Sequence, residues 1–406
     1  MMGERGTPQD GRADRLFRLL VGVYLGGGLL NSMVNLLVPR LRLTLGLNYH
    51  QALTVQLAYY SSYLLFALPI ALAVVRIGYL RAIAAGLAVV GAGCLLLSIA
   101  NGARDYPSML ASLLLLSSGA TVLQIAGNAV VAAAGSGSAM ASRFTLLQAF
   151  NSLGTVLGPL IGAWFLLGAW QGRLMPELPF LAMGAGLLCL ALGFFLGRDL
   201  LPRTAGSGVA TPSFTRIRRL LAHRPMQAGV IVIFAYVGAE VTVGTLAVNY
   251  LMLPDTIGAG AVFAGRLVSL YWGGAMIGRF AGSWLLRRIA AARMLMLAAC
   301  GALLLLAVVI GVGGMAGAIA ILTIGLCNSV MFPLGYALAM PDDEADTPLA
   351  SMLLCMAVVG GAVIPVLTGY VADARGLVFS LLVPGACYIV IVAFALYRSS
   401  RNRELS

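Results

Sequence analysis

The chain has 406 residues, 60% of them hydrophobic and 10% charged, with a formal net charge of +12 and a mean hydropathy of +0.96. These values exclude a soluble globular domain and a disordered chain, and describe a protein that crosses a membrane many times. Lysine is absent from the sequence, so neither a Walker A phosphate loop nor a Schiff-base lysine is available.

Apolar runs longer than about 18 residues, set against a bilayer core of about 30 Å, predict twelve spanning helices. In chain order they cover 16–38, 49–75, 80–100, 107–134, 143–167, 178–197, 227–253, 262–286, 293–312, 315–340, 348–371 and 377–397. The stretch MMGERGTPQDGRADRLFR ahead of the first run carries no small-residue cleavage site, so that run reads as a retained helix rather than a signal peptide. Residues 198–226, rich in Pro, Gly, Ser and Arg, are the one long polar interruption and read as a linker between two six-helix bundles, 1–197 and 227–406. Short internal matches support a duplication. Asn128 in GNAVV recurs as Asn328 in CNSVM, and Gly154 to Pro159 recurs as Gly360 to Pro365.

Counted from a cytoplasmic N-terminus, arginines gather on one side. They are Arg5, Arg12, Arg15 and Arg18, then Arg76, Arg81 and Arg143, the run from Arg198 to Arg224, Arg287, Arg288 and Arg293, and finally Arg398, Arg401 and Arg403. The opposite loops hold fewer, chiefly Arg40, Arg42, Arg104, Arg173, Arg266 and Arg375. By the positive-inside rule both termini are cytoplasmic, and the basic balance reports topology and anionic lipid rather than nucleic acid. All six cysteines fall inside apolar runs and read as packing residues; the two histidines, His50 and His223, fall in loops. No metal cluster, cofactor site or nucleophile–histidine pair can be assembled, so an enzyme is not expected. Small-xxx-small series such as Gly154/Gly158/Gly162 and Gly274/Gly278/Gly282 read as close packing within a bundle.

Polar stripes run through several spans. Thr121, Gln124 and Asn128 share one face of the fourth, and Gln148, Asn151, Ser152 and Thr155 repeat that spacing on the fifth. The first span offers Tyr24, Asn31 and Asn35, the second Gln56, Tyr59, Tyr60 and Tyr63, the seventh Tyr236, and the eighth Tyr271 and Trp272. Carboxamides both donate and accept, and aromatic faces suit a C–H surface, so the inventory fits a sugar or polyol. The bland alternative is helix-to-helix hydrogen bonding, at about 0.6 kcal/mol per bond.

Glu240 is the one acid inside a predicted span away from its ends. Even lenient scales charge about 2.5 kcal/mol for such a group at the bilayer centre, so it marks a pathway or a partner. Two roles compete: a coupling site that takes up a proton or sodium, and a static pair with Arg279.

FAYVGAEVTVGTLAVNYL, LVSLYWGGAMIGRFAGSWLL, GLCNSVMFP, MAVVGGAVIPVLTGYVAD and LQIAGNAVVAAAGSGSAMASRFTLLQAFNSLGTVLGPLIGAW resemble the fucose/glucose-galactose permeases of the major facilitator superfamily. The resemblance implies an all-α membrane protein of twelve helices in two pseudo-symmetric bundles. It also implies a monomeric, cation-coupled monosaccharide importer in a bacterial inner membrane, with no cofactor besides Na+ or H+. It carries sugar contacts onto Gln124, Asn128, Gln148 and Asn151, and places Glu240 at the family's acidic position on span seven. Asn31, Tyr236, Trp272 and Asn328 complete the expected sugar site, and Asn35 joins Glu240 as a coupling position. One departure stands out: proton-coupled relatives carry an acid where this chain has Asn35, and some carry another at Gln124. Neither amide takes up a proton near neutral pH, so coupling falls to Glu240, with simple facilitation as the alternative. Sodium is the favoured ion, because amides and one carboxylate can supply the oxygens that a hard cation takes. GTVLGPLIGAW also resembles a motif of proton-driven drug exporters, and a non-transporting receptor is a third class. Arg76, Arg81, Arg279, Arg287 and Arg288 are expected to latch the outward-open form, through helix C-termini or acids such as Asp342 and Asp343.

Overall fold

A computed structural model describes residues 8–133, 137–168, 176–197, 214–341 and 347–404. Every regular element in it is helical. Span one is α1 (Pro8–Asn35) followed by α2 (Leu37–Leu45), and span two is α3 (Tyr49–Leu65) followed by α4 (Ala67–Ile77). Spans three to six are α5 (Tyr79–Ala103), α6 (Tyr106–Ala133), α7 (Gly137–Leu166) and α8 (Leu178–Leu196). A short α9 (Phe214–Leu221) precedes α10 (Arg224–Leu251), α11 (Ala261–Leu285) and α12 (Ala291–Gly311), which are spans seven to nine. Span ten is α13 (Gly314–Asn328) with α14 (Met331–Ala339), and span eleven is α15 (Thr347–Met356) with α16 (Gly360–Arg375). Span twelve is α17 (Leu377–Ser380) with α18 (Leu382–Glu404).

Ten of these segments are long and apolar enough to cross a membrane, and α3 with α4, bent by 51° at Phe66, makes an eleventh. The twelfth, α11, has 25 residues, but Arg266 and Arg279 dilute its apolar character. Four of the five interruptions share one cause. A proline lacks an N–H and its ring clashes with the carbonyl four residues back. Pro39, Pro69, Pro333 and Pro384 stand three residues after Leu36, Phe66, Val330 and Leu381, the four places where a helix stops and restarts. The fifth, the 3₁₀ turn at Ala357–Val359, has no proline at that spacing.

Three loop expectations change. Arg40 lies in α2 rather than in a loop; it is 5% exposed and donates from Nη1 to the Leu166 carbonyl at 2.7 Å, closing the last turn of α7. His50 is the second residue of α3, whereas His223 lies as expected in the bend between α9 and α10, as the N-cap of α10. The linker contains α9, whose Phe214, Ile217, Leu220 and Leu221 recur at helical spacing, with arginines between them. Residues 198–213, Asp342 and Asp343 lie outside the described residues. All the cysteines are free thiols; Cys94 and Cys387 are buried as packing residues, whereas Cys189 and Cys300 are exposed on the protein surface.

Packing groups the chain into two compact units. One comprises Met1–Leu30, Phe66–Gly154 and Glu177–Thr211, taken over their described residues; the other comprises Asn31–Leu65, Thr155–Pro176 and Pro212–Ser406, taken likewise. Glycines set the helix contacts inside each. In the first, a Cβ on Gly119 would sit 2.7 Å from the Gly86 carbonyl oxygen, and one on Gly184 would sit 3.0 Å from that of Gly91, so α5 lies directly on α6 and α8. A Cβ on Gly154 would run into the Leu25 carbonyl oxygen. Gly154→Ala is therefore expected to push α7 off α1 and to cost about 1–3 kcal/mol, read as a lower melting temperature of the purified protein. In the second unit, Gly278 packs on Leu326 and Ser329 and Gly282 on Val330, so that series seats α11 against span ten.

Candidate functional site

The first unit holds the amides of spans four and five. Gln124 and Gln148 are half-buried, and among the described residues neither side chain makes a hydrogen bond. Their neighbours behave differently. The hydroxyls of Thr121 and Ser152 turn back onto their own helices, donating to the Ser117 and Gln148 carbonyls at 3.0 Å each. Asn151 donates from Nδ2 to the Tyr24 carbonyl at 3.0 Å, which orients its amide and leaves Oδ1 for another donor. Asn128 lies on α6, and its side chain is outside the described residues.

The second unit holds a network centred on Asn328. This side chain is fully buried; its Nδ2 donates to the Tyr271 hydroxyl at 2.8 Å, and its Oδ1 accepts from the Tyr388 hydroxyl at 2.9 Å. Its carbonyl accepts from the Tyr236 hydroxyl at 3.1 Å, and the Tyr271 hydroxyl donates onward to the Glu240 carbonyl at 3.2 Å. Four spans, seven, eight, ten and twelve, are thereby tied through one residue, spans eight and twelve by its side-chain amide and span seven by its backbone carbonyl. Trp272 stands edge-on to Tyr271, with ring centroids 5.1 Å apart, and its buried Nε1 has no hydrogen-bond partner among the described residues.

The Glu240 side chain is half-buried on α10. The Arg279 guanidinium on α11 acts on its carboxylate electrostatically. Asn31 accepts from the Tyr60 hydroxyl at 3.2 Å, and a Cβ on Gly361 would touch the Tyr60 ring at 3.0 Å, so α16 presses that phenol toward span one. Asn35 is buried, and its Oδ1 accepts from Gln56 and Thr245. One atom of that amide is left without a hydrogen-bond partner among the described residues.

Three participants were missing from the expected site. Thr245 was legible, since Thr242, Thr245 and Asn249 repeat on span seven the spacing that drew attention to span four. Tyr388 had no such signal. Asp373 lay just past the predicted end of span eleven; its carboxylate accepts from the Tyr49 and His50 backbone N–H groups at 2.7 and 2.9 Å and meets His50 Nδ1 at 2.7 Å.

Apolar helices long enough to span a membrane, lined with half-buried amides and phenols and one carboxylate, define an integral membrane protein of the solute-carrier type. The chain belongs to the Major Facilitator Superfamily, whose family model matches residues 20–341. It is 36% identical over 378 residues to a glucose/galactose transporter of Brucella abortus, covering 92% of this chain and 91% of that protein. It is 26% identical over 407 residues to the L-fucose-proton symporter of Escherichia coli, covering 94% and 93%. The crystal structure of FucP in its outward conformation superposes with a TM-score of 0.70 at 26% identity, covering 94% of this chain and 98% of that one. With named transporters as relatives along nearly its whole length, the protein is a transporter and not an enzyme.

Proposed function

We propose that the protein imports a monosaccharide of the glucose, galactose or fucose kind by alternating access, coupled to sodium or protons through Glu240. The observation that carries this reading is the 36% identity, across 92% of the chain, to a protein named as a glucose/galactose transporter. The residues of each unit support it. In one, Gln124 and Gln148 make no side-chain hydrogen bond among the described residues and Asn151 is an oriented amide; in the other, Asn31, Tyr236 and Trp272 are the polar and aromatic candidates. Asn128 completes the span-four stripe. Asn328 serves from behind, holding Tyr236 and Tyr271 in place. The halves 1–197 and 227–406 rock about the solute, with both termini in the cytoplasm and the chain a monomer in a bacterial inner membrane. Glu240 takes the coupling cation by exchange against Arg279, and Asn35 stands beside that route without supplying charge.

Gln148→Ala and Asn151→Ala are each expected to weaken galactose binding about tenfold, one hydrogen bond to a polar solute being worth about 1.4 kcal/mol at this scale. Titration calorimetry on purified protein measures this, and unchanged affinity in both variants removes these amides from the site. A competition panel separates importer from exporter: sugars displace labelled galactose, and lipophilic cations do not.

A further inference from the structure

The amides of Asn35 and Gln56 already hold a hydroxyl in this structure, and it is the protein's own. Gln56 Nε2 donates to Asn35 Oδ1 at 3.0 Å and to Thr245 Oγ1 at 3.1 Å, while the Thr245 hydroxyl donates to Asn35 Oδ1 at 3.3 Å. The hydroxyl thus accepts from one amide and donates to the other. Exchanging O and N in both amides preserves the pattern, so it is a property of the pair. Asn35 is 4% exposed, and Gln56 and Thr245 are fully buried. Asn35 Nδ2 and Gln56 Oε1 are buried with no hydrogen-bond partner among the described residues, which leaves one further donor and one further acceptor. A second hydroxyl has the matching pair of functions; an anion would meet carbonyl oxygens, and a cation would meet NH2 groups.

We propose that the Asn35–Gln56 pair is a hydroxyl-binding subsite for the solute, and that Thr245 is its internal stand-in. With span seven against spans one and two, as here, Thr245 fills the pair. When span seven withdraws, the amides are uncovered, and a hydroxyl of a neutral polyol takes the place of Thr245. Its return on closure strips that contact from the solute and favours release on the other side. The proposal rests on the sugar reading above and names the chemical group recognised and its competitor.

The test is equilibrium binding of D-galactose and its monodeoxy analogues to the purified full chain, as wild type, Gln56→Leu and Thr245→Val. Gln56→Leu is expected to weaken galactose about tenfold yet bind one particular deoxy analogue as wild type does. Thr245→Val removes the competitor, so galactose binds severalfold more tightly. If Gln56→Leu fails to fold, Thr245→Val carries the test alone. Equal losses for every analogue in Gln56→Leu, or no tightening in Thr245→Val, would overturn the subsite while leaving sugar transport standing. Absence of any galactose binding by wild type would overturn the sugar reading and the subsite with it.

Discussion

Glu240→Gln is expected to abolish gradient-driven accumulation of solute while leaving its equilibration across the membrane intact. Glutamine keeps the shape and polarity of the side chain and removes only the charge. Coupling requires a group that a cation neutralises in one half of the cycle, and the Arg279 guanidinium is the positive charge that acts on this carboxylate. On the proposed mechanism, a cation that binds Glu240 on the loaded carrier carries its charge inward. Moving one charge through 100 mV releases about 2.3 kcal/mol, which sustains roughly a fiftyfold gradient. The variant should therefore fall from a ratio of roughly fifty to about one in an accumulation assay, with exchange of labelled for unlabelled solute unchanged. Accumulation that survives in Glu240→Gln would make the carboxylate a structural partner of Arg279 and nothing more.

Asn328→Ala should be among the most destabilising substitutions in the second half. It deletes the donor to Tyr271 and the acceptor of Tyr388, both inside a fully buried cluster. A buried hydroxyl stripped of its partner costs about 1–3 kcal/mol, and the cavity left by the amide adds to that. A total of about 3–5 kcal/mol is expected. The check is the melting temperature of detergent-solubilised protein, which should drop by several degrees, with galactose binding falling in parallel as Tyr271 and Trp272 lose their support. An unchanged melting temperature would show that the phenols find other partners and that Asn328 is not their anchor.

The spans were legible because apolar length against a bilayer is a strong signal, and every predicted run coincides with a helix or a broken pair of helices. The breaks were legible too, in the prolines at positions 39, 69, 333 and 384, had their steric reach been followed backward. Stripes at helical spacing pointed to Gln124, Gln148 and Asn151, whose half-burial suits a lining role. What spacing could not disclose was which amide is spent inside the protein. Asn328 and Gln148 look alike in sequence, yet one is locked among three phenols and the other makes no side-chain hydrogen bond among the described residues. Thr245, a partner of Asn35, and His50, a partner of Asp373, fall 210 and 323 residues away, a distance at which sequence pattern carries no pairing information.

Uptake of labelled glucose, galactose and fucose into proteoliposomes, with and without an imposed sodium or proton gradient, tests the central claim most directly. Saturable flux of at least one of these sugars, driven uphill by one of the two gradients, is the result the account predicts. Flux of all three no faster than into protein-free liposomes would contradict it.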